Sequence, residues 1–535
     1  MKKSKRLTCL AMALMLLFSV LSLTALAEGK KPLIVAHSAD DGTLTPYTYK
    51  FDTGLDIVRW IYDPLIMLDT EQVPQPWLAT SYEISEDGLT YTFHLAENAK
   101  FHDGEPLTAA DVKFTYEYIN TYPRSRYTNP AKVISEVKVV DDHTVEMVVS
   151  TPQTVEFLTK PLSELGILPE HIWSKVTDPN NSTEKVGSGP YKLVEVKVGE
   201  FYRFEANKEY WNGTPAVDAI YMPIITDANA RNTALLSGQV DASSGPIPTE
   251  LVKQFEASAL SVLKGPAYST TMVVFNCERH PFDVKEFRQA LAYGTDIQEV
   301  VDVIMLGNAT LGSPGFVHPE MPYYNPDIKH YEHSPEKGNE LLDGLGYLDS
   351  NGNGTRENDK GEELNFKLLV YASNALRIRI AELLKEYYAQ LGVGVEVTAL
   401  DAQVVDNLVW PEYDATKGRD FDMVMWGWGA STMPVPGRFA EMTHGDLKIG
   451  SSNIGGFNSP EVNEVDDKIL TLVKTEERYA AIHEFQALIA EEMPYITLYY
   501  PNDTYAFNSN VYNGWVFTTG KGIMTVHSLL KADIQ

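Results

Sequence analysis

Residues 364–426 limit the possible folds more than any other stretch, because they alternate strand-like and helix-like patterns with short joints. LNFKLLVYAS predicts a strand, and VEVTALD and FDMVMW predict two more. Between the first two strands a helix is expected to begin at about Asn374 and to end at Gly392. Its apolar face comprises Ile380, Leu383, Leu384, Tyr387 and Leu391. Strands joined in this way form a parallel pair with a right-handed crossover, so the predicted fold class is α/β.

A glycine-rich aromatic loop follows the last of these strands. It reads MWGWGASTMPVPG, spans residues 425–437 and carries no charged side chain. In open α/β sheets the ligand crevice lies beyond the carboxyl ends of the strands, so the topology predicts that this loop lies at the mouth of a crevice. Trp426 and Trp428 alternate along the chain, and we expect only one of them to face the crevice.

Other segments carry local signals of regular structure. LIVAHS (33–38) predicts a strand, and LTYTFHL (89–95) alternates apolar and polar positions as a half-buried strand does. Thr108 and Asp111 have the spacing of a capping box at the start of an amphipathic helix. A chain of 535 residues with such elements along its length is long enough for two or three hydrophobic cores.

The first 27 residues predict export. A basic start, MKKSKR, leads into an apolar run and then into Ala-Leu-Ala at 25–27, which is typical of a signal-peptide cleavage site. The apolar run is about as long as a membrane span, so an uncleaved anchor is the alternative. Cys9 lies well before the cleavage point, which argues against a lipoprotein. We expect a soluble, exported, periplasmic protein of residues 28–535.

The charge of the chain narrows the function further. The net charge is −29 at pH 7, and cleavage of the leader would remove four basic residues and no acidic ones. A negative field of this size repels phosphate backbones and anionic membranes, so we expect no nucleic-acid partner. Cys277 is the only cysteine after residue 27, so the exported chain has no intramolecular disulfide and depends on burial for its stability.

The sequence contains no complete catalytic or metal-binding motif. It has no G-x-S-x-G, H-E-x-x-H, phosphate-binding loop or C-x-x-C. The segment 349–360 fits the first half of a calcium loop, but Lys360 replaces the required glutamate, and an Asn-Gly turn explains the composition as well. His330 and His333 could share a metal ion, although histidines in such loops usually lie at the surface. We expect no enzyme activity, no metal and no cofactor.

Several segments in order resemble the extracytoplasmic solute-binding proteins of ABC importers, specifically the peptide/nickel-binding family. LATSYEISEDGLTYTFHLAENAKFHDGEPLTAADVKFTYEYI (78–119) is the most recognisable block. The others are GILPEHIW (166–173), VGSGPYKLVEV (186–196), FNCERHPFDVKEFRQALAYGTDIQEVV (275–301), MPYITLYYP (493–501) and NGWVF (513–517). The resemblance covers essentially the whole chain after the leader.

The resemblance implies a class II, cluster C periplasmic-binding-protein fold with two lobes that close over a solute. The first lobe would comprise residues 28–65, 187–272 and 497–535, with an extra subdomain at 66–186, and the second lobe residues 273–496. The lobes would be crossed near STTMVVFN and YITLYYP. The implied partners are a small solute and an ABC permease with its ATPase, and we expect a monomer.

The resemblance also implies where the ligand binds. Peptide-binding members have a glycine-tryptophan pair followed, three positions after the tryptophan, by an aspartate that binds the peptide α-ammonium. Gly427 and Trp428 match the pair, but Ser431 stands in the aspartate position, and a neutral hydroxyl makes a weaker hydrogen bond to a cation. Met425, Trp426 and Gly429 are further candidates on this wall.

The opposite wall is expected in TYKFDTG, residues 48–54. Lys50, Phe51 and Asp52 are the candidates there, and Asp52 could supply the negative charge that Ser431 lacks. An exposed loop carboxylate without a ligand is the alternative for Asp52. Asn276 completes the set of predicted ligand-binding residues.

The predicted wall suits three ligand classes. Sugars stack on indole faces, peptides bind through their backbone, and chelated or amphipathic solutes need no charged clamp. Because of the family resemblance we place peptides first and oligosaccharides second. An exported hydrolase is a distant alternative, and a chemosensory or chaperone-like role is compatible with solute binding.

Overall fold

The computed structural model describes residues 31–430 and 432–530. Residues 1–27, for which we predict a signal peptide, and Ser431 lie outside the described residues. The strands are β1 (Leu33–Ala36), β2 (Ile66–Leu68), β3 (Pro74–Pro76), β4 (Ala79–Ile84), β5 (Thr90–Leu95), β6 (Ile134–Asp141), β7 (Thr144–Val149), β8 (Tyr191–Lys197), β9 (Phe201–Ala206), β10 (Ala219–Pro223), β11 (Ala242–Ser243), β12 (Ser261–Pro266), β13 (Thr271–Phe275), β14 (Ala309–Leu311), β15 (Asn365–Tyr371), β16 (Gly394–Leu400), β17 (Met423–Trp426) and β18 (Tyr495–Phe507).

The α-helices vary from short turns to a helix of five turns. They are α1 (Asp52–Ile61), α2 (Ala109–Thr121), α3 (Ser125–Ala131), α4 (Glu156–Thr159), α5 (Pro161–Glu164), α6 (Glu170–Trp173), α7 (Ala228–Leu236), α8 (Val252–Glu256), α9 (Lys285–Gly294), α10 (Ile297–Glu299), α11 (Pro335–Gly344), α12 (Ala375–Ala389), α13 (Ala402–Val409), α14 (Gly437–Thr443), α15 (Pro460–Thr471) and α16 (Thr475–Glu492). No helix within residues 31–430 and 432–530 is long and apolar enough to cross a bilayer.

The strands form one large sheet and two smaller ones. The large sheet has the order β16-β15-β17-β13-β18-β11-β1-β10-β9-β8, and β12 and β14 also pair with β18. A separate antiparallel sheet has the order β4-β5-β7-β6, and β2 pairs with β3. The half of the large sheet from β16 to β13 and the half from β11 to β8 are therefore joined through one strand, β18.

The hydrophobic cores divide the molecule into two lobes. One core collects residues between Leu33 and Met222 together with the chain end from Tyr505 to Leu529, and a small neighbouring core lies around Phe255. Two other cores lie on the faces of the β15–β17–β13 sheet and use residues between Tyr268 and Tyr500. The four-stranded sheet shares the core of the first lobe rather than forming one of its own. The predicted two-lobed α/β fold is confirmed.

The strand–helix–strand unit has the predicted form. β15 pairs in parallel with β16 over its whole length and with β17 on its other side. The side chain of Asn374 caps α12 by accepting a hydrogen bond from the backbone N–H of Arg377 at 3.0 Å. Gly392 has a φ of +68°. Glycine commonly adopts this left-handed conformation directly after the end of a helix. Of the predicted apolar face, Leu383 is half-buried and the other four residues are buried.

The other local predictions are also confirmed. β1 begins the predicted 33–38 strand, and β5 alternates between half-buried and buried side chains. At the start of α2 both bonds of the capping box between Thr108 and Asp111 are present. The two predicted crossing segments form β13 and the first half of β18, which pair with each other.

Asp466 is a buried carboxylate in the second lobe, and it gives the protein a testable pH dependence. It lies in α15 and faces α14, where Thr443 Oγ1 donates a hydrogen bond to its Oδ2 at 2.9 Å. Oδ1 is buried and has no hydrogen-bond partner within the described structure. Burial raises the pKa of Asp466 to about 7, although the Thr443 bond acts in the opposite direction.

We predict that Asp466→Asn becomes progressively more stable than the parent protein as the pH rises from 5 to 7. The pKa of Asp466 in the folded protein exceeds its value in the unfolded chain, about 3.9. The protonated carboxyl therefore stabilises the fold at low pH, and this stabilisation is lost as the pH rises from the unfolded pKa to the folded pKa. The difference in unfolding free energy should grow by roughly 1.4 kcal/mol per pH unit and level off above pH 7. Urea unfolding at several pH values measures it. Asp359→Asn is the control, because Asp359 is exposed and its substitution should change the unfolding free energy by the same amount at every pH. A difference for Asp466→Asn that likewise does not change with pH would contradict the prediction.

Candidate binding cleft between the lobes

The aromatic loop leaves the large sheet at the carboxyl end of β17. Met425 is fully buried in one core of the second lobe and Trp426 is 7% exposed in the other. Both predicted site residues therefore serve mainly as core residues on the two faces of the sheet. The strand ends at Trp426, so the residues that follow are free to form the cleft wall.

Trp428 is held by backbone bonds to the strand entering the second lobe. Its N–H donates to Thr270 Oγ1 at 3.0 Å, and the Thr270 N–H donates to the Trp428 carbonyl at 2.9 Å. The half-buried indole lies edge-on to Trp410, with ring centroids 6.1 Å apart, and to Trp426 at 6.3 Å. Gly429 is exposed beside it. Trp428 and Gly429 are thus fixed at the open edge of the sheet.

Two indole N–H groups beside Trp428 lack a partner. Nε1 of Trp410 and Nε1 of Trp426 are buried, and neither donates a hydrogen bond within the described structure. A buried donor that loses its water without replacement costs about 1–3 kcal/mol. These two donors are therefore a local free-energy cost in the packing beside Trp428.

Arg377 is a charged residue of this wall that the sequence analysis did not identify. It lies in the first turn of α12, two residues after Ala375, and its guanidinium packs against the backbone of Gly427. A Cβ at position 427 would overlap both this guanidinium and the carbonyl oxygen of Thr270. The topology could have indicated Arg377, because α12 begins directly after the carboxyl end of β15, at the same edge of the sheet as Trp428.

The first-lobe wall is formed at the start of α1. The carboxylate of Asp41 accepts hydrogen bonds from the backbone N–H groups of Lys50, at 3.1 Å, and Phe51, at 2.8 Å. Phe51 is 54% exposed, and Lys50 and Asp52 are exposed as well. These three predicted residues therefore present their side chains to solvent from a backbone that is held in place.

Asp52 has a cationic partner within its own lobe. Its Oδ1 accepts a hydrogen bond from Arg126 Nη1 at 2.6 Å. Partial burial acts to raise the pKa of Asp52, but the charges of Arg126 and Lys521 and the hydrogen bond from Arg126 together outweigh it, so the pKa lies below its ordinary value. Asp52 is ionised at neutral pH, and Arg126 offsets the negative charge that it would offer a ligand.

The loop at 517–522 connects the two walls. A Cβ on Gly520 would lie 3.6 Å from the Cβ of Ala430 in the aromatic loop. The adjacent Lys521 Nζ lies 3.5 Å from Oδ1 of Asp56, one helical turn beyond Asp52. The predicted segments from the two lobes are thereby brought together, through a loop that carries no motif in the sequence.

The strand that joins the two lobes, β18, is least buried in its middle. Every residue of this strand is buried except the three half-buried residues at 501–503, where the strand passes from one lobe to the other. Asp503 is the acid in this stretch, and burial raises its pKa to about 6. No local pattern in the sequence distinguishes Asp503, because its position depends on where the strand crosses between the lobes.

The segment predicted as an extra subdomain, residues 66–186, also contacts the second lobe. Glu156 in α4 accepts a hydrogen bond at Oε1 from Arg478 Nη2 at 2.8 Å and another from the N–H of Gly437 at 3.3 Å. Arg478 is 4% exposed, and its Nε donates to the Ile469 carbonyl at 2.9 Å. This ion pair bridges the two lobes away from the hinge strand.

Asn276 does not belong to this cluster. It follows β13, and its side-chain amide donates to the carbonyl of Phe421 at 2.9 Å, just before β17 begins. β13 and β17 are antiparallel, with Met272 opposite Trp426 and Phe275 opposite Met423. Asn276 therefore lies at the end of the sheet remote from Trp428, and its predicted place in the cleft is corrected.

The remaining candidate chemistry has structural roles. Asp349 accepts three backbone hydrogen bonds, from Gly352, Asn353 and Gly354, so its carboxylate closes a turn. Within residues 31–430 and 432–530 no three His, Cys, Asp or Glu side chains are grouped to hold a metal ion. Burial raises the pKa of the Cys277 thiol to about 11, which leaves it unreactive at neutral pH.

Arg288 and Gln289 join α9 to the end of α16. Arg288 donates to the carbonyls of Phe282, Glu492 and Met493, and Gln289 donates to the carbonyl of Glu491. Both side chains therefore hold the two helices together.

Comparison with known proteins adds independent findings. The family described as bacterial extracellular solute-binding proteins, family 5 middle, matches residues 73–448. The heme-binding protein A of Haemophilus influenzae is 27% identical over 447 residues, 79% of this chain and 78% of that protein. The oligopeptide-binding protein AppA of Bacillus subtilis is 26% identical over 492 residues, 89% of this chain and 88% of that protein. The ABC transporter substrate-binding protein CtaP from Listeria monocytogenes has a similar fold, with a TM-score of 0.79 at 24% identity over 95% of this chain and 100% of that one.

We predict that Gly427→Ala lowers the melting temperature by several degrees, whereas Gly429→Ala changes it little. The new methyl group at 427 would displace Arg377 and strain the Thr270–Trp428 pairing, at a cost of about 1–3 kcal/mol. A Cβ at 429 would meet no atom within 4 Å. Thermal unfolding of the two variants measures this, and equal melting temperatures would contradict the close approach at Gly427.

A second prediction concerns the contact between Glu156 and Arg478. Glu156→Gln removes the ion pair. The arrangement in which the two lobes are in contact should then be less favourable by about 1–2 kcal/mol relative to one in which they are apart. The radius of gyration from small-angle scattering, without added solute, should then exceed that of the parent. Glu97→Gln, an exposed charge change in the same subdomain, is the control. An unchanged radius in Glu156→Gln would show that this ion pair does not hold the lobes together.

Proposed function

The chain belongs to the bacterial extracellular solute-binding proteins of family 5, and we propose that it captures a peptide between its two lobes. It delivers this solute to the permease and ATPase of an ABC importer. Binding is a shift between an open and a closed arrangement, because the contacts that span both lobes form only when the lobes meet. No bond in the solute is made or broken.

One observation carries this proposal. The aromatic loop of the second lobe and the 517–522 loop of the first lobe approach each other at Ala430 and Gly520, above the half-buried centre of β18. A solute held there contacts both lobes and the strand that joins them. Movement of either lobe is then coupled to occupancy of the cleft.

A peptide fits the chemistry of the second-lobe wall. The half-buried indole of Trp428 offers apolar surface for the side chains of a peptide. One relative is named as an oligopeptide-binding protein, which supports the same class of ligand. An oligosaccharide stacked on Trp428 is the alternative, because an indole face also suits a sugar ring.

The cellular setting follows from the same proposal. Residues 1–27 direct export and are removed, and the remaining protein acts as a soluble, periplasmic monomer without a lipid anchor. The strong negative charge keeps such a protein soluble. Its partners are the solute and the membrane components of the importer.

We predict that a library of short peptides raises the melting temperature of the parent protein and that Trp428→Ala loses this shift. The substitution removes the aromatic surface of the cleft wall, and ligand that binds only the folded protein stabilises it by mass action. Trp211→Ala is the matched control, because Trp211 is half-buried and bonds to Asp63, beyond the far end of α1. It should lower the melting temperature without ligand yet keep the ligand-induced shift.

The same assay separates the alternatives. If an oligosaccharide library raises the melting temperature and the peptide library does not, the ligand is a sugar and not a peptide. Hydrolysis of either library, followed by mass spectrometry, would instead indicate an exported enzyme. If Trp428→Ala keeps the whole ligand-induced rise in melting temperature, Trp428 does not bind the ligand.

A further inference from the structure

His37 lies directly after β1 and is the centre of a buried hydrogen-bond network. Its Nδ1 lies 3.1 Å from Oγ of Ser244, and its Nε2 lies 2.8 Å from Oδ2 of Asp41. All three side chains are buried, and His37 and Asp41 have no exposed surface at all. The backbone of His37 is fixed as well, because its N–H donates to the carbonyl of Pro223 at 2.8 Å. The imidazole therefore joins two segments of the first lobe that are far apart in the sequence.

Asp41 connects this network to the first-lobe wall. Its Oδ2 faces His37, while its Oδ1 accepts the backbone N–H groups of Lys50 and Phe51. Phe51 precedes α1, and its own side chain makes no capping hydrogen bond. A Cβ at Gly54 would overlap the carboxylate of Asp41, so this carboxylate packs directly on the first turn of the helix. Negative charge at this end of a helix is favourable, and Asp41 takes the place of a local cap.

The hydrogen bond from His37 is the support on the far side of this carboxylate. Within residues 31–430 and 432–530 no lysine or arginine forms an ion pair with Asp41. A buried carboxylate depends on hydrogen bonds for its stability. An ionised carboxylate only accepts hydrogen bonds, so the Nε2–H of His37 donates to Asp41, and Nδ1 of the neutral ring accepts the hydroxyl of Ser244.

The other end of the network is attached to the sheet that joins the lobes. Ser244 follows β11, which pairs with β1 on one side and with β18 on the other. Its Oγ also accepts the backbone N–H of Ser38 at 2.9 Å. The exposed side chain of Phe51 is thus carried by a backbone whose position is set by buried groups of the central sheet.

A serine, a histidine and an aspartate in contact also form the catalytic triad of many hydrolases. In a hydrolase the serine hydroxyl is open to the substrate. Ser244 is 4% exposed, and its Oγ is occupied by the N–H of Ser38. The free oxygen of Asp41 is directed at the wall and not at a second base. The geometry suits support of the wall rather than attack on a solute.

We propose that His37 is a positioning residue for solute binding, which acts through Asp41 to hold Lys50 and Phe51 in the arrangement that contacts the solute. This inference rests on the proposed function and deepens it, because it identifies what orders the first-lobe wall before a solute arrives. A wall that is already ordered in the free protein loses less conformational entropy on binding, so the solute binds more tightly. His37 itself does not touch the solute.

The test compares two polar substitutions that differ in reach. The side-chain nitrogen of glutamine can occupy the position of the imidazole Nε2, whereas that of asparagine is one carbon shorter. His37→Gln should still donate to Asp41, and His37→Asn should not. In isothermal titration with a library of short peptides, His37→Gln should bind within about 3-fold of the parent. His37→Asn should bind about 10-fold more weakly, as expected for the loss of one hydrogen bond to a charged group.

Hydrogen exchange without solute measures the wall directly. The N–H groups of Lys50 and Phe51 should exchange faster in His37→Asn than in the parent, while those of β1 stay protected. His102→Asn is the matched control, because His102 is half-buried and bonds through both ring nitrogens to the backbone of Gly187 and Gly189. It should lower the melting temperature and leave the wall and the affinity unchanged.

A double-mutant cycle tests whether His37 acts through the wall. Lys50→Ala combined with Phe51→Ala removes both side chains that His37 is proposed to position. In this background His37→Asn should no longer weaken binding. An equal loss of affinity in both backgrounds would overturn the proposal. If His37→Asn does not fold, Ser244→Ala replaces it, because loss of the partner at Nδ1 lets the ring turn away from Asp41 and should weaken binding in the same direction.

The outcomes separate this proposal from the proposed function. Peptide binding that is equally strong in the parent, His37→Gln and His37→Asn overturns the positioning role while the receptor stands. Unchanged exchange at Lys50 and Phe51 in His37→Asn does the same. Hydrolysis of the peptides that is lost in Ser244→Ala would make Ser244 a nucleophile and overturn the positioning role. If the parent binds oligosaccharides instead, the same comparisons with that library decide, and if it binds neither library both proposals fail.

Discussion

The backbone pairing of a single strand, β18, is the constraint on which the rest of the structure depends. Its first half pairs with β13 and β14 in the second lobe, and its second half pairs with β12 and β11 in the first. The pairing continues through the crossing, because Pro501 pairs with Ala309 and residues 502–503 pair with 265–266. The two lobes are therefore joined by one continuous ladder, in which residues 501–503 are the half-buried part of β18.

Local sequence patterns were sufficient for elements whose causes are local. The α12 unit, the capping box at Thr108 and the alternation of β5 each depend on residues within a few positions of one another, and the structure confirms all three. The crossing segments came from family resemblance, because no local pattern distinguishes a hinge strand from any other buried strand. The contact between Gly520 and Ala430 could not be predicted, since it depends on the packing of whole lobes.

The direction of the strands explains where the predicted site residues lie in the structure. Trp428 follows β17 at its carboxyl end, as the topology of a parallel sheet predicts. β13 runs in the opposite direction, so the residue that meets Trp428 is Thr270, before β13, and Asn276 after it lies at the remote edge. Without knowledge that these strands are antiparallel, both ends of β13 were equally acceptable candidates.

The net charge of the chain acts on an approaching solute over a limited distance. The net charge of −29 is spread over the whole chain, and at physiological ionic strength its field decays over roughly 8 Å. A solute that is itself strongly anionic is repelled within this distance. A zwitterionic peptide carries no net charge and avoids the repulsion, so the acidity of the chain is compatible with a peptide and disfavours a polyanion.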